Sequence, residues 1–139
     1  MSGTLVRFGV SMDERLLKVL DGIVARRGYT SRSEALRDLV RGEQVREAWG
    51  KESGPVVGTL TLIYDHHVRE LAERLVDLQH DHHGLVHSTM HIHLSHRMCL
   101  EVIVLNGKPQ EVQRLADRLI AAKGVKHGRL VATTGEDLV

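Results

Sequence analysis

Cysteine is nearly absent from this sequence, and aromatic residues are scarce. The single cysteine, Cys99, excludes a disulfide within the chain, so its thiol is a buried apolar filler, a reactive group or a metal ligand. Ten histidines in the same chain favour the metal interpretation. An aromatic content of 3% leaves little material for stacking on unpaired bases, so duplex DNA is a more natural nucleic-acid partner than a single strand.

Long hydrophobic runs are also absent. No apolar stretch approaches the roughly 20 residues that cross a bilayer, and the N-terminus lacks the basic and then apolar segments of a signal peptide. We therefore expect no membrane association and a cytoplasmic location. With 139 residues, 42% of them hydrophobic, the chain can bury one modest core or two small ones that depend on a partner.

The first fifty residues are predicted to form one strand and two helices. Apolar and polar side chains alternate over Leu5–Ser11, which is the period of a strand. Apolar residues then follow helical spacing over Asp13–Gly28, with two arginines before the closing glycine. A capping box, Ser31-Arg-Ser-Glu34, opens a second amphipathic helix that runs to about Trp49.

The predicted strand has no neighbour in sequence with which to pair. An isolated strand is unstable, so it either joins a distant sheet or pairs with the same strand of another chain. In the second case, the two chains form an antiparallel ribbon whose outer face fits the major groove and presents Arg7, Gly9 and Ser11. The amides that open the second helix would face a phosphate: Ser31, Arg32 and Ser33. The pattern alone leaves open a dimerisation or helical-hairpin module without a DNA role.

Glycine, serine and proline concentrate over residues 50–55, which predicts a domain boundary. Beyond it, the periodicity predicts a strand, a helix running from His66 to about Gln79, two strands, a second helix and a last strand. This βαββαβ order is that of the ferredoxin-like (ACT-type) sandwich. We therefore predict an α+β protein with a ribbon-helix-helix domain over 1–49, a linker over 50–55 and a ferredoxin-like domain over 56–139.

A cluster of potential metal ligands lies on the two middle strands of the second domain. His91 and His93, two residues apart, leave one face of a strand together, and Cys99 opens the next strand near that face. The alternating apolar residues are expected to point into the core: Met90, Ile92 and Leu94. A thiolate with neutral imidazoles suits zinc, copper or nickel. An exposed histidine face with Cys99 as a small buried hydrophobe is the alternative.

The sequence resembles the nickel-responsive transcriptional regulator family from about Leu5 to His127. The segments that carry the resemblance are 26–41 in the first domain and 79–83, 89–93 and 99–102 in the second. Membership implies one nickel(II) ion per chain, held in a plane by three histidines and one cysteine. By motif, the partner chain donates His80, while His91, His93 and Cys99 complete the site. The family also implies a homotetramer, with two ribbon dimers flanking a core of metal-binding domains.

The function implied by this resemblance is transcriptional repression, with nickel as co-repressor, at a palindromic operator that controls nickel-uptake genes. Gly9 stands where relatives carry a base-contacting hydroxyl residue, so the operator sequence is expected to differ. Glu34 and Asp38, one helical turn apart, match acidic positions that bind a second cation in some members. A solvated helix face is the alternative for that pair.

Other functions are less consistent with the sequence. Four planar protein ligands leave no open metal position, and no nucleophile motif or phosphate loop is present, so we do not expect an enzyme. A storage protein would not need the DNA-binding head, although it remains an alternative, as does the same architecture responding to zinc or copper. Glu101 could accept a hydrogen bond from a ligand histidine. The remaining histidines are interpreted mainly as solvated surface: His66, His67, His82, His83, His87, His96 and His127.

Overall fold

The computed structural model describes residues 3–51 and 54–135. Its elements are α1 (Glu14–Arg27), α2 (Arg32–Gly50), β1 (Val56–Asp65), α3 (Leu71–Asp81), β2 (Val86–His93), β3 (Met98–Gly107), α4 (Pro109–Ile120) and β4 (Val125–Thr133). The chain divides into two compact units, and the division falls between Gln44 and Val45. Within residues 3–51 and 54–135, no helix has the length and apolar character that a bilayer crossing requires.

Both predicted helices of the first unit form, and capping groups define three of their ends. The Asp13 carboxylate accepts a backbone N–H two residues further on, at 2.7 Å, and caps α1. Gly28 ends α1 with a φ of 71°, a left-handed conformation that glycine adopts without steric cost. Ser31 Oγ accepts the backbone N–H of Glu34 at 3.1 Å and opens α2, which forms one half of the predicted capping box.

The segment Leu5–Ser11 forms no strand in the single chain, contrary to prediction. Its large apolar side chains are exposed, and Phe8 retains 80% of its accessible surface. A strand requires a neighbour for its backbone hydrogen bonds, and the described part of the first unit contains none. Pairing of this segment with a second copy therefore stays a prediction.

The second unit contains a four-stranded antiparallel sheet in the order β2-β3-β1-β4. Together with α3 and α4, this is the predicted α+β, ferredoxin-like arrangement, with the two sequence-distant strands β1 and β3 paired at its centre. Alternate residues of β1 and β3 form one hydrophobic core with the buried faces of α3 and α4, so both helices cover the same face of the sheet.

No helix of the described part of the second unit covers the other face of the sheet. The apolar residues that alternate with the β2 histidines lie there, and all three are exposed: Met90, Ile92 and Leu94. The expectation that they point into the core is therefore wrong for this chain. The prediction that histidines and apolar residues alternate between two faces is correct. The histidines, however, lie on the helix-covered face, because the register of β2 with β3 places them opposite Cys99 and Glu101.

The predicted helix from His66 begins later, at Leu71. Residues 66–70 form turns, and Glu70 has a φ of 65°, which a continuous helix does not allow. The Asp65 carboxylate accepts the backbone N–H of His67 at 2.9 Å and holds the first of these turns. This departure from a helix determines where His66 lies.

The last turn of α2 belongs to the second unit and packs on its sheet. The Trp49 indole N–H donates to the Thr133 carbonyl at 2.6 Å, and the ring lies over Gly58, where an added Cβ would lie 3.3 Å from the ring. The proposed bounds 1–49, 50–55 and 56–139 stay a prediction, since the structural division falls inside α2.

Candidate functional site

Cys99 is the centre of the candidate metal site. It is the second residue of β3 and is completely buried on the helix-covered side of the sheet. The strand register places it opposite His93 on β2 and opposite Tyr64 on β1. Side chains directly opposite in antiparallel strands lie on the same face, so three strands contribute to one cluster.

Two histidine nitrogens approach the sulfur. His93 Nδ1 lies 3.5 Å from Cys99 Sγ, and His66 Nδ1 lies closer, at 3.1 Å. The ligand atoms of these three residues all lie within 4.8 Å of one another, close enough to share one ion. His93 and Cys99 were predicted ligands, whereas His66 was interpreted as surface. The position of His66 could have indicated its nearness to Cys99, because His66 directly follows β1 and the end of β1 pairs with the start of β3.

His91 lies beside this group. Its ring stacks on that of His93, with the centroids 5.2 Å apart, and its Nε2 lies 3.3 Å from the Tyr64 hydroxyl. The structure therefore brings the predicted pair His91 and His93 together on the face that carries Cys99.

His80 lies elsewhere in the single chain. It is exposed near the end of α3 and lines a surface cavity with Gln79, His83, Val86 and Glu101, among others. It does not belong to the group of ligand atoms around Cys99. Of the four predicted ligands, the structure therefore brings His93 and Cys99 together, with His91 stacked on His93 beside them, and leaves His80 apart.

The electrostatics of the cluster favour neutral groups in the metal-free chain. Burial raises the pKa of the Cys99 thiol, and the nearby carboxylates of Glu101 and Asp65 raise it further. Desolvation, with smaller contributions from the neighbouring His67 and His93, lowers the pKa of His66. A neutral imidazole retains a free lone pair for a metal, while the thiol must lose its proton on binding.

The donor set fits nickel. One sulfur and at least two imidazole nitrogens form a mixed soft and intermediate set that suits nickel, zinc or copper and disfavours calcium or magnesium. A buried carboxylate also lies near the cluster, since Glu101 is 5% exposed and pairs with His91 in the sheet. Negative charge and hydrogen-bond acceptors outside the ligand set orient histidine ligands and stabilise a bound cation.

The candidate DNA contacts lie in the first unit and differ in their local roles. Arg7, Gly9 and Ser11 are exposed. Ser31 caps α2 through its hydroxyl. The Arg32 guanidinium forms two hydrogen bonds to the Asp21 carboxylate, at 2.8 and 3.0 Å, which holds the pKa of Asp21 below its usual range. Ser33 borders the apolar groove formed by the N-terminal segment and α2.

The proposed second cation pair, Glu34 and Asp38, is engaged within the chain. Glu34 forms a salt bridge with Arg37 at 2.5 Å and lies 3.8 Å from Arg41. The Asp38 carboxylate accepts a hydrogen bond from the Tyr29 hydroxyl. The two carboxylates form no group of metal ligands among residues 3–51 and 54–135. Each therefore has a structural partner already, and their role in binding a cation stays a prediction.

Comparisons with known proteins cover nearly the whole chain. A family model for ribbon-helix-helix proteins of the copG family matches residues 6–47, and the model described as the NikR C terminal nickel binding domain matches residues 57–133. Proteins named putative nickel-responsive regulators are similar over their full length. The one from Geobacter sulfurreducens is 53% identical over 98% of this chain and 99% of its own, and the one from Solibacter usitatus is 52% identical over 99% of each.

A structural comparison agrees on the fold. An uncharacterised protein from Thermotoga maritima superimposes on 57% of this chain and 98% of its own with a TM-score of 0.51. Its sequence identity is 15%, so the likeness concerns the fold alone.

Proposed function

This chain belongs to the nickel-responsive regulator family, and from this membership we propose that it is a DNA-binding transcriptional repressor with nickel(II) as co-repressor. The observation that carries the proposal is the approach of histidine nitrogens to the buried Cys99 sulfur within the stretch that matches the nickel-binding domain. The separate first unit, which matches ribbon-helix-helix proteins, supports the DNA-binding role.

We assign the nickel ligands as His91, His93 and Cys99 of one chain and His80 of a second copy, with one ion per chain. Support comes from the stacked pair His91 and His93 beside Cys99, and from the exposure of His80 away from that cluster. A site shared between copies requires an oligomer, and we propose a homotetramer built as a dimer of dimers.

We assign His66 a supporting role outside the ligand set. Its Nδ1 lies 3.1 Å from Cys99 Sγ, a distance at which an N–H can donate to a thiolate. Such a donor stabilises the deprotonated sulfur that the metal requires. Replacing His66 with glutamine should then weaken nickel binding while leaving the number of bound ions unchanged.

The regulatory step requires a difference in affinity. Nickel must bind the DNA-competent arrangement of the oligomer more tightly than the other arrangements, because equal binding shifts no equilibrium. Two ribbon dimers predict a palindromic operator with separated half-sites. We propose that the bases are contacted by Arg7, Gly9 and Ser11, and the phosphates by residues 31–33. The proposed targets are genes for nickel uptake.

The first test is a nickel titration of the metal-free protein, followed by thiolate-to-metal absorption. We expect one tightly bound ion per chain and a sulfur-dependent spectrum typical of a planar site, both lost in Cys99→Ala. Several weakly bound ions without a contribution from Cys99 would exclude a nickel sensor and favour a storage function.

Mixing two inactive variants tests the shared site. His80→Ala and Cys99→Ala chains should each bind nickel poorly, but a mixed dimer holds one intact site if His80 comes from the other copy. Random pairing should then restore about a quarter of the wild-type sites. No recovery after mixing, with mixed oligomers verified by mass, would place all ligands in one chain.

A zinc response is the second candidate. The three residues His66, His93 and Cys99 of a single chain resemble the mixed nitrogen and sulfur sets that bind zinc tetrahedrally. Operator binding measured with nickel, zinc and copper at equal free concentrations separates the candidates, since only the true co-repressor should produce tight binding.

A further inference from the structure

Tyr64, His91 and Glu101 meet on the helix-covered side of three neighbouring strands. Glu101 pairs with His91 in the sheet, and the Tyr64 hydroxyl lies 3.3 Å from His91 Nε2. Tyr64 is 2% exposed and Glu101 is 5% exposed. The three polar groups are therefore close together; Tyr64 and Glu101 are shielded from water, whereas His91 is exposed.

The Glu101 carboxylate is incompletely satisfied. Its Oε1 accepts a long hydrogen bond of 3.3 Å from the Gln79 amide, while its Oε2 is buried without a partner in the described part of the chain. A buried carboxylate oxygen without a donor is costly, so its position calls for a donor in another state of the protein. Burial raises the pKa of Tyr64, and the Glu101 charge and, more weakly, a hydrogen bond with Glu101 raise it further, so the hydroxyl is already near this carboxylate.

The hydroxyl of Tyr64 has one proton to donate and two possible acceptors. When it donates to His91 Nε2, the neutral imidazole carries its own proton on Nδ1, and the Nε2 lone pair points at the hydroxyl. A metal that binds Nε2 takes this lone pair, and the buried hydroxyl then needs a new acceptor.

We propose that Tyr64 is a positioning residue with two alternative acceptors, donating to His91 Nε2 in the metal-free chain and to Glu101 Oε2 when His91 Nε2 binds nickel. The inference rests on the proposed role of His91 as a nickel ligand. No O–H or N–H bond of the three groups breaks; only the acceptor of the Tyr64 proton changes. His91 stays in the Nδ1–H tautomer throughout, so its binding nitrogen is available before the metal arrives.

In this arrangement, the loss of nickel affinity on replacing Glu101 depends on whether the Tyr64 hydroxyl is present. Without the carboxylate, nickel binding leaves the Tyr64 hydroxyl buried without an acceptor. Removing the hydroxyl as well removes that cost. A purely electrostatic role of Glu101, in which its charge attracts the cation, predicts no such dependence.

The experiment measures nickel affinity by chelator competition for wild type, Glu101→Leu, Tyr64→Phe and the double variant. We expect Glu101→Leu to weaken binding roughly tenfold to a hundredfold. The double variant should regain most of that loss. Glu101→Gln is the matched comparison, because its amide oxygen still accepts a hydrogen bond although the charge is gone, and it should lose clearly less affinity than Glu101→Leu.

A measurement on the metal-free protein keeps the test independent of affinity. The nitrogen chemical shifts of the His91 ring should show the Nδ1–H tautomer in wild type and a mixture in Tyr64→Phe. A double variant as weak as Glu101→Leu, or an Nε2–H tautomer in wild type, would overturn the inference. A wild-type protein that binds no nickel would instead overturn the proposed function.

Discussion

At the residue scale, the residues in and around the candidate metal site have different surroundings and different local roles. Cys99 is fully buried, His93 approaches its sulfur, and Asp65 at the end of β1 supports the turn that carries His66. Asp65 also forms a hydrogen bond of 2.7 Å with the Arg97 guanidinium. Single substitutions at these positions therefore have separable effects on stability and on metal binding.

Asp65→Asn should reduce the acid sensitivity of folding. The backbone N–H of His67 and then the Arg97 guanidinium lower the pKa of Asp65 below 3.8, so its stabilisation is present above that pH and is lost as the pH falls through the lowered value. Chemical unfolding at a series of pH values should show a shallower decline for the variant than for wild type below about pH 4. Asp81→Asn, at an exposed site at the end of α3, is the control.

Gly128→Ala should destabilise the second unit. An added Cβ would lie 2.6 Å from Ile120 and 2.9 Å from Leu62, because α4 approaches β4 closely at this point. We expect a loss of about 1–3 kcal/mol in the free energy of unfolding. Gly84→Ala, where nothing lies within 4 Å of the added atom, should change it little. Equal stability of the two variants would contradict this packing.

At the element scale, the start of α2 combines two roles in Ser31. Its hydroxyl caps the helix, and the same turn is proposed to face a DNA phosphate. The Glu34 side chain pairs with Arg37 rather than completing the capping box, so the cap depends on Ser31. The two roles can be separated, because aspartate also caps helices well but repels phosphate.

Ser31→Asp should preserve stability and weaken DNA binding, whereas Ser31→Ala should lower stability by about 1 kcal/mol. Unfolding curves measure the stability of both variants. Fluorescence anisotropy with a random-sequence duplex at low salt measures DNA binding, because phosphate contacts do not depend on base sequence. Undiminished duplex binding by Ser31→Asp would place the start of α2 away from the DNA backbone.

At the scale of the whole molecule, the single chain leaves much apolar surface uncovered. The N-terminal segment exposes Val6, Phe8 and Val10, and the open face of the sheet exposes Met90 and Ile92. Contiguous exposed apolar residues of this kind are typical of a protein that self-associates. This is consistent with the tetramer proposed above, in which both surfaces would be covered.

Phe8→Glu should weaken self-association through the N-terminal segment and, with it, DNA binding, while metal binding persists. The reason is that a charge replaces an apolar side chain proposed to lie on the inner face of the ribbon, opposite Arg7 and Gly9. Sedimentation velocity should show a smaller assembly for the variant. Thr4→Glu, in the same exposed segment but outside the predicted strand, is the matched control and should assemble as wild type does.

Local sequence information was sufficient for much of this protein. Helical periodicity and capping residues predicted α1 and the start of α2, and alternation predicted that His91 and His93 share a strand face. The order of elements was enough for the ferredoxin-like fold, because few topologies accept it. These features depend on residues near each other in the chain, so their signals are readable from short segments.

Other features depended on tertiary contacts. His66 meets Cys99 only because β1 and β3, far apart in sequence, pair at the centre of the sheet and a turn replaces the start of α3. The burial of Glu101 and its nearness to Tyr64 have the same origin. The prediction of which β2 face lies toward the helices was also wrong. Alternation defines two faces of the strand, but only the register with β3 decides which face packs against the core.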